Sequence, residues 1–125
     1  MSDAKKIIIA DDEIFILRLL ELTLKKGGYE VVSCRDGHEA VAAAFAAPPN
    51  LIVLDVLMPR LDGLGALKQL KENPATQNIP VIVLSGKGHA LTRVEAERAG
   101  AVLFLSKPFS PNQLLVEVKK ILEGK

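Results

Sequence analysis

An α/β fold, with a parallel sheet covered by helices on both faces, follows from two observations. Short apolar or β-branched runs alternate with longer helix-patterned segments five times along the chain. Three of the runs, Ile7-Ile8-Ile9, Leu51-Ile52-Val53-Leu54 and Val81-Ile82-Val83-Leu84, show no polar alternation at all. A strand wetted on one face alternates, whereas a strand buried on both faces reads as a continuous apolar run. Right-handed crossovers then leave few topologies for five such units.

The strands are predicted at Lys6 to Ala10, Glu30 to Cys34, Leu51 to Leu54, Val81 to Leu84 and Ala101 to Leu105. Helices are predicted at Glu13 to Lys26, Gly37 to Ala47, Leu64 to Asn73, Ala90 to Ala99 and Asn112 to Glu123. Gly27-Gly28 closes the first helix behind Lys25 and Lys26, whose charges suit the helix C-terminus. Pro48-Pro49-Asn50 separates the second helix from the third strand, and Gly100 ends the fourth helix. Ser110-Pro111-Asn112-Gln113 opens the last helix with an N-cap serine, a proline at the first position and a glutamine for a capping box. Asp62 before Gly63 reads as a turn and N-cap residue.

Composition narrows the function. At 125 residues the chain fits one domain, and its 49% apolar content is enough for a real core. A net charge of +1 gives no global field for nucleic acid or an anionic membrane, and no apolar run is long enough to span a bilayer. The N-terminus lacks the pattern of a secretory signal. A single cysteine, Cys34, excludes an internal disulfide and fits a reducing cytoplasm; its place in a strand-like run makes it buried filler. His38 and His89 have no paired ligands nearby in sequence and are expected on exposed helix surface.

The chemistry-bearing residues share one position in this pattern. Asp11 and Asp12 end the first apolar run, Asp55 the third, Ser85 the fourth and Lys107 the fifth. Ligands of parallel α/β sheets bind outside the carboxyl ends of the strands, so these side chains are expected to meet there. Three carboxylates packed together repel one another and call for a cation; Mg²⁺, a hard ion that takes oxygen ligands, suits them. An aspartate at a strand tip can form an aspartyl phosphate, and the transferred group then needs its outer oxygens neutralised. Asp11 and Asp12 can hold Mg²⁺ beside Asp55, Lys107 can pair with one phosphoryl oxygen, and Ser85 can donate to another.

Taken together, Ile7-Ile8-Ile9-Ala10-Asp11-Asp12-Glu13, Leu54-Asp55-Val56-Leu57-Met58-Pro59, Leu61-Asp62-Gly63, Leu84-Ser85-Gly86 and Ser106-Lys107-Pro108-Phe109 make the chain resemble the receiver domain of bacterial two-component response regulators. The resemblance covers residues 1–125. It implies a flavodoxin-like, doubly wound five-stranded sheet in the order 2-1-3-4-5 with five helices. It implies that Asp55 accepts a phosphoryl group from a histidine kinase or histidine phosphotransferase. Asp12, Asp55 and the backbone carbonyl of Leu57 would bind Mg²⁺ directly, with Asp11 acting mainly through a metal-bound water. Ser85 would move toward the phosphoryl group, Lys107 would hold it, and Phe104 would turn inward as the switch aromatic. Lys107-Pro108 matches a peptide that is often cis in the family.

Several residues depart from the family's usual pattern. Ser85 stands where many relatives carry threonine, keeping the hydroxyl. Phe104 lacks a tyrosine's hydroxyl, which weakens any preference for an exposed state. Gly86 is smaller than the usual alanine and leaves the site open to small donors. By the resemblance, Leu57 and Lys87 stand at positions that flank the path of an attacking water, and apolar Leu57 would offer that water no hydrogen bond. Glu13 reads as first-turn charge complementing the helix dipole.

The first helix carries more apolar residues than one stripe needs. A stripe through Ile16, Leu19, Leu20, Thr23 and Leu24 has helical spacing and leaves Ile14, Phe15, Leu17 and Leu22 over. Either the core contact is wider, or the surplus is a docking patch beside Asp55 for the helical bundle of a kinase or phosphotransferase. Ile14, Phe15, Leu57 and Lys87 are the candidate docking residues. The chain ends just after the fifth helix, so an unknown output protein is expected on the surface of the fourth helix, fifth strand and fifth helix, around Arg93, Glu97, Phe104 and Gln113. Three rivals are disfavoured. A haloacid dehalogenase-type hydrolase would need a second acid where Leu57 stands. A flavin-binding loop would find phosphate repelled by Asp11-Asp12-Glu13, and a phosphorylation-independent interaction domain would not need the intact acid cluster. The expectation is a cytoplasmic, non-enzymatic signalling switch.

Overall fold

The computed structural model describes residues 4–56, 58, 61–86 and 90–124. Five strands and five helices alternate: β1 (Lys6–Ala10), α1 (Ile14–Lys26), β2 (Glu30–Cys34), α2 (Gly37–Ala46), β3 (Leu51–Asp55), α3 (Gly63–Glu72), β4 (Val81–Ser85), α4 (Ala90–Arg98), β5 (Leu103–Ser106) and α5 (Pro111–Glu123). All neighbouring strands are parallel, in the order β2-β1-β3-β4-β5 that the resemblance implied.

The unbroken apolar runs are explained by what covers them. Alternate residues of β1, β3 and β4 enter two separate cores. Ile7, Ile9, Leu51, Val53, Ile82 and Leu84 pack with Leu17, Leu20 and Leu24 of α1 and Leu114 and Val118 of α5. Ile8, Ala10, Ile52, Leu54, Val81 and Val83 pack with Ala40, Val41 and Ala44 of α2, Ala66, Leu67 and Leu70 of α3, and Ala96 of α4. Burying each such aliphatic side chain contributes roughly 1.5–3 kcal/mol.

The ends of the elements follow local chemistry. Asp36, Asp62 and Ser110 each cap a helix by accepting a backbone N–H three residues on, from Glu39, Gly65 and Gln113. Gly28, Gly100 and Gly124 hold positive φ just past α1, α4 and α5. The α4 closure corrects the predicted start of β5. Gly100 and Ala101 donate their N–H groups back to Glu97 and Ala96, so pairing with β4 begins only when Val102 donates to the Val81 carbonyl at 2.8 Å. Asp55 and Ser85 are the last residues inside β3 and β4.

The phase of α1 also differs from the predicted stripe. Leu17, expected as surplus, is buried with Leu20 and Leu24, while Leu19 is 38% exposed. The i, i+3, i+7 set centred on Leu20 is the one that faces the sheet, where α1 lies against β2 and β1. Ile14, Phe15 and Leu22 remain exposed, Phe15 by 84%. His38 is exposed on α2, and His89 lies outside the described residues.

Two glycines let the loops at the strand ends approach the sheet. A Cβ on Gly63 would lie 2.2 Å from the Asp55 carbonyl oxygen, and one on Gly37 would lie 2.3 Å from that of Leu61. Gly63→Ala must therefore displace backbone, and should cost about 2 kcal/mol; urea unfolding checks this, and an unchanged midpoint contradicts it. Cys34 is buried, and burial, helped by the charges of Glu39 and Asp36, pushes its thiol up to about 11. A thiol-disulfide reagent at neutral pH should label Cys34 only at the rate of global unfolding; fast stoichiometric labelling of the folded protein contradicts this.

Candidate functional site

Register brings the distant polar residues to one rim. Ala10 pairs with Leu54, so Asp11 leaves β1 level with Asp55. Asp55 pairs with Leu84, and Ser85 pairs with Ser106, which places Lys107 one step beyond β5 at the same end. The Lys107 N–H is tied to the Ser85 carbonyl at 2.6 Å, and the Lys107–Pro108 peptide is cis. The resulting pocket, about 280 Å³, is lined by Asp12, Glu13, Asp55, Gly86 and Lys107. A Cβ on Gly86 would meet nothing within 4 Å, so this wall is open.

The centre of the site is the Lys107 ammonium. It lies 2.9 Å from Asp11 Oδ2, 2.9 Å from Glu13 Oε1 and 3.1 Å from Asp55 Oδ1. Asp11 and Glu13 accept hydrogen bonds from it, and Asp55 forms an ion pair with it. The other oxygen of Asp11 accepts the Glu13 backbone N–H at 2.9 Å, which anchors the entry to α1. Burial pulls the ammonium toward its neutral form, but the hydrogen bonds with Glu13 and Asp11 and the charge of Asp55 outweigh it and hold Lys107 above the ordinary lysine value. Asp11 stays above the ordinary carboxylate value because burial outweighs the Glu13 N–H and Lys107 together. Burial and the charge of Asp11 likewise push Asp55 up to about 6, against the pull of Lys107.

Asp11, Asp12 and Asp55 offer carboxylate oxygens within 4.8 Å of one another. Two of the acids are buried and Asp12 is exposed at the pocket mouth. An all-oxygen donor set of this charge fits a hard divalent cation such as Mg²⁺.

Ser85 and Phe104 stand apart from this triad. Strand alternation turns them toward the α4 side, where Phe104 is buried beside Val83 and Ala96. The Ser85 hydroxyl donates to the Gly86 carbonyl at 3.2 Å. The guanidinium of Arg93 on α4 lies 5.5 Å from the centre of the Phe104 ring and also reaches Glu97 at 3.8 Å. Leu57 and Lys87 lie outside the described residues. Glu13 is the residue that sequence reasoning misjudged. Its backbone serves as the N-cap of α1, but its side chain reaches into the pocket instead of only facing the helix dipole. The adjacency of a third acid to Asp11-Asp12 was the available signal.

A larger groove of about 530 Å³ between α3 and α4 mixes Lys68, Glu72, Glu95 and Arg98 on a floor of Leu64 and Ala99. Size alone would favour it, but among the described residues the metal-capable acid cluster is at the strand ends.

Known proteins resemble this chain in sequence and in fold. Residues 7–119 match the family model of the response regulator receiver domain. The chain is 40% identical to the alkaline phosphatase synthesis transcriptional regulatory protein PhoP of Bacillus subtilis, over 94% of this chain and 48% of PhoP. It is 38% identical to protein PilG of Pseudomonas aeruginosa, over 94% of this chain and 87% of PilG. The chain therefore spans about half the length of PhoP and of similar transcriptional regulators. Among solved structures, chemotaxis protein CheY4 of Vibrio cholerae matches with a TM-score of 0.89 at 32% identity, covering 95% of this chain and 99% of CheY4. The receiver domain of NtrX from Brucella abortus matches with a TM-score of 0.87 at 35% identity, covering 95% of this chain and 99% of that domain. On the extent of these matches, the chain belongs to the response regulator receiver domain family, the phosphorylation-dependent switches of two-component signalling.

Proposed function

We propose that Asp55 is the phosphoacceptor, and that residues 1–125 work as one receiver that takes its phosphoryl group from a histidine kinase or histidine phosphotransferase. The observation that carries this reading is the convergence of Asp11, Asp12 and Asp55 within 4.8 Å, with the Lys107 ammonium 3.1 Å from Asp55. Asp11, Asp12 and Asp55 would hold Mg²⁺, joined by the backbone carbonyl of Leu57, which lies outside the described residues. Bound there, the ion supplies positive charge beside the incoming phosphoryl oxygens.

The chain's own residues do the rest. An Asp55 carboxylate oxygen forms the new bond to phosphorus as the P–N bond of phosphohistidine breaks, and the electron pair leaves with the imidazole nitrogen. Lys107 neutralises one phosphoryl oxygen, and Ser85 turns its hydroxyl from the Gly86 carbonyl toward another. Phe104 is held inward under Arg93 in the structure described here. Its environment is where a move of Ser85 is felt, and Arg93, Glu97 and Gln113 carry the change to an output protein. The exposed Ile14 and Phe15, at the start of α1 next to the pocket, suit docking of a helical donor. Leu57 and Lys87 belong to the same docking proposal but lie outside the described residues. Among the described residues no helix is long and apolar enough to cross a membrane; a cytoplasmic setting is part of the reading, since the donor's phosphohistidine is met there. The product is a modified protein that binds differently, so the chain acts as a switch and not as a turnover enzyme.

Incubation with Mg²⁺ and acetyl phosphate should add one phosphoryl group per chain, located at Asp55 by mass spectrometry. EDTA or Asp55→Asn should prevent it. Modification elsewhere, or sustained donor hydrolysis without a modified intermediate, would overturn the reading.

The metal-free site also predicts a pH dependence. The Asp55 carboxyl ionises near 3.8 when unexceptional and near about 6 in the folded site. Between those values the unfolded chain binds fewer protons than the folded one, so stability falls as pH rises through the window and stays reduced above it. In EDTA, Asp55→Asn removes that handicap and should raise stability by about 1–3 kcal/mol above the window, with the gain shrinking toward its acid end. Thermal unfolding across this range checks it; a variant no more stable than wild type at neutral pH contradicts it.

A further inference from the structure

The Lys107 ammonium donates to Asp11 and to Glu13 at 2.9 Å each and pairs with Asp55 at 3.1 Å, so three carboxylates crowd one ammonium. For Lys107 to receive a phosphoryl oxygen, one of the three must let go. They are not equivalent. The side chains of Asp11 and Asp55 are 0% and 5% exposed, whereas that of Glu13 is 62% exposed. Releasing Asp11 would strand a buried charge, and Asp55 gives up its charge only once it has bonded to phosphorus, while a released Glu13 carboxylate is rehydrated at once. Glu13 also lines the pocket mouth with Asp12, and its backbone is fixed there by the 2.9 Å hydrogen bond to Asp11.

We infer that Glu13 is a positioning and specificity residue: it grips Lys107 in the resting site, releases it to the incoming phosphoryl group, and selects against highly charged free phosphodonors. The inference rests on the reading of Asp55 as phosphoacceptor. Its two consequences are separate. The grip holds the ammonium aimed into the pocket before a donor arrives. The carboxylate at the mouth adds negative charge to the path of every anionic donor, at a separation where partial screening leaves the repulsion effective. A dianion is repelled about twice as strongly as a monoanion, so the penalty depends on donor charge. A small dianionic acyl phosphate is disfavoured more than a monoanionic phosphoramidate, and more than a phosphohistidine delivered by a docked protein whose contacts offset the repulsion.

The test compares acetyl phosphate with phosphoramidate at neutral pH on wild type, Glu13→Gln and Glu13→Lys, with Mg²⁺ present. Glu13→Gln should lower the half-saturating acetyl phosphate concentration about fivefold, and change that for phosphoramidate by about twofold or less. Glu13→Lys should widen the gap between the donors further, and added salt should narrow it. A second readout needs no metal and no donor: in EDTA, the Lys107 ammonium protons, seen by NMR, should exchange faster with water in Glu13→Gln than in wild type. If wild type is modified at Asp55 but Glu13→Gln shifts both donors equally, shifts neither, or leaves Lys107 exchange unchanged, the inference falls and the phosphoacceptor reading stands. If wild type is not modified at Asp55, both fall.

Discussion

Four charged side chains from three strand ends share one small pocket, and the Lys107 ammonium is what lets them coexist. Asp11 and Asp55 are buried and carry like charge, an arrangement that is strongly unfavourable without a nearby cation. The sequence suggests Mg²⁺ as that cation. The structure shows a covalently attached one as well, hydrogen-bonded to Asp11 and Glu13 and paired with Asp55. Compensation is incomplete: Asp55 still sits at about 6, because burial and Asp11 together outweigh Lys107. Positive charge added at the rim would relieve the remaining repulsion, which is the part the proposed Mg²⁺ would play.

Sheet geometry then divides the site into two functional halves. In β1 and β3 the alternation that sends Ile9 and Val53 toward α1 and α5 also turns Asp11 and Asp55 that way. In β4 and β5 the same alternation sends Val83 and Phe104 toward α4, and Ser85 with them. Charge chemistry is therefore concentrated on the side of α1, and the hydroxyl and aromatic pair lies on the side of α4. Under the proposed function, a change at Asp55 that draws Ser85 across the rim would link the two halves through a single strand end.

Most of this was legible in the sequence because two strong signals coincided. Unbroken apolar runs marked strands covered on both faces, and polar residues at their ends marked the rim. Cap residues at Asp62 and Ser110 fixed two helix starts to within a residue. What was not legible depended on packing across elements. The stripe named Leu20 and Leu24, which are buried, but took Leu19 where packing against the sheet takes Leu17; an all-apolar helix face leaves periodicity unable to choose between them. The start of β5 was read two residues early because nothing in Ala101-Val102 shows that the α4 C-terminus has already taken the Ala101 N–H. Glu13 was assigned to its own helix, because local sequence gives no measure of a partner such as Lys107 on another strand end.

The glycines complete the account of how an ordinary sheet rim becomes a site. Asp55 ends β3 with its carbonyl so close to α3 that only a hydrogen fits on Gly63, and the Gly63 N–H donates to the Val56 carbonyl at 3.0 Å. The Gly37 N–H donates to the Leu61 carbonyl, also at 3.0 Å, with equally little room. The starts of α2 and α3 thereby lie against the backbone of Leu61 and of Asp55–Val56. Any larger residue at either glycine would have to displace that backbone. Gly86 has the opposite character: it lines the pocket, and a Cβ there would meet nothing within 4 Å. The same residue type packs tightly behind Asp55 and leaves the wall in front open, so the acid is buried while its pocket stays accessible.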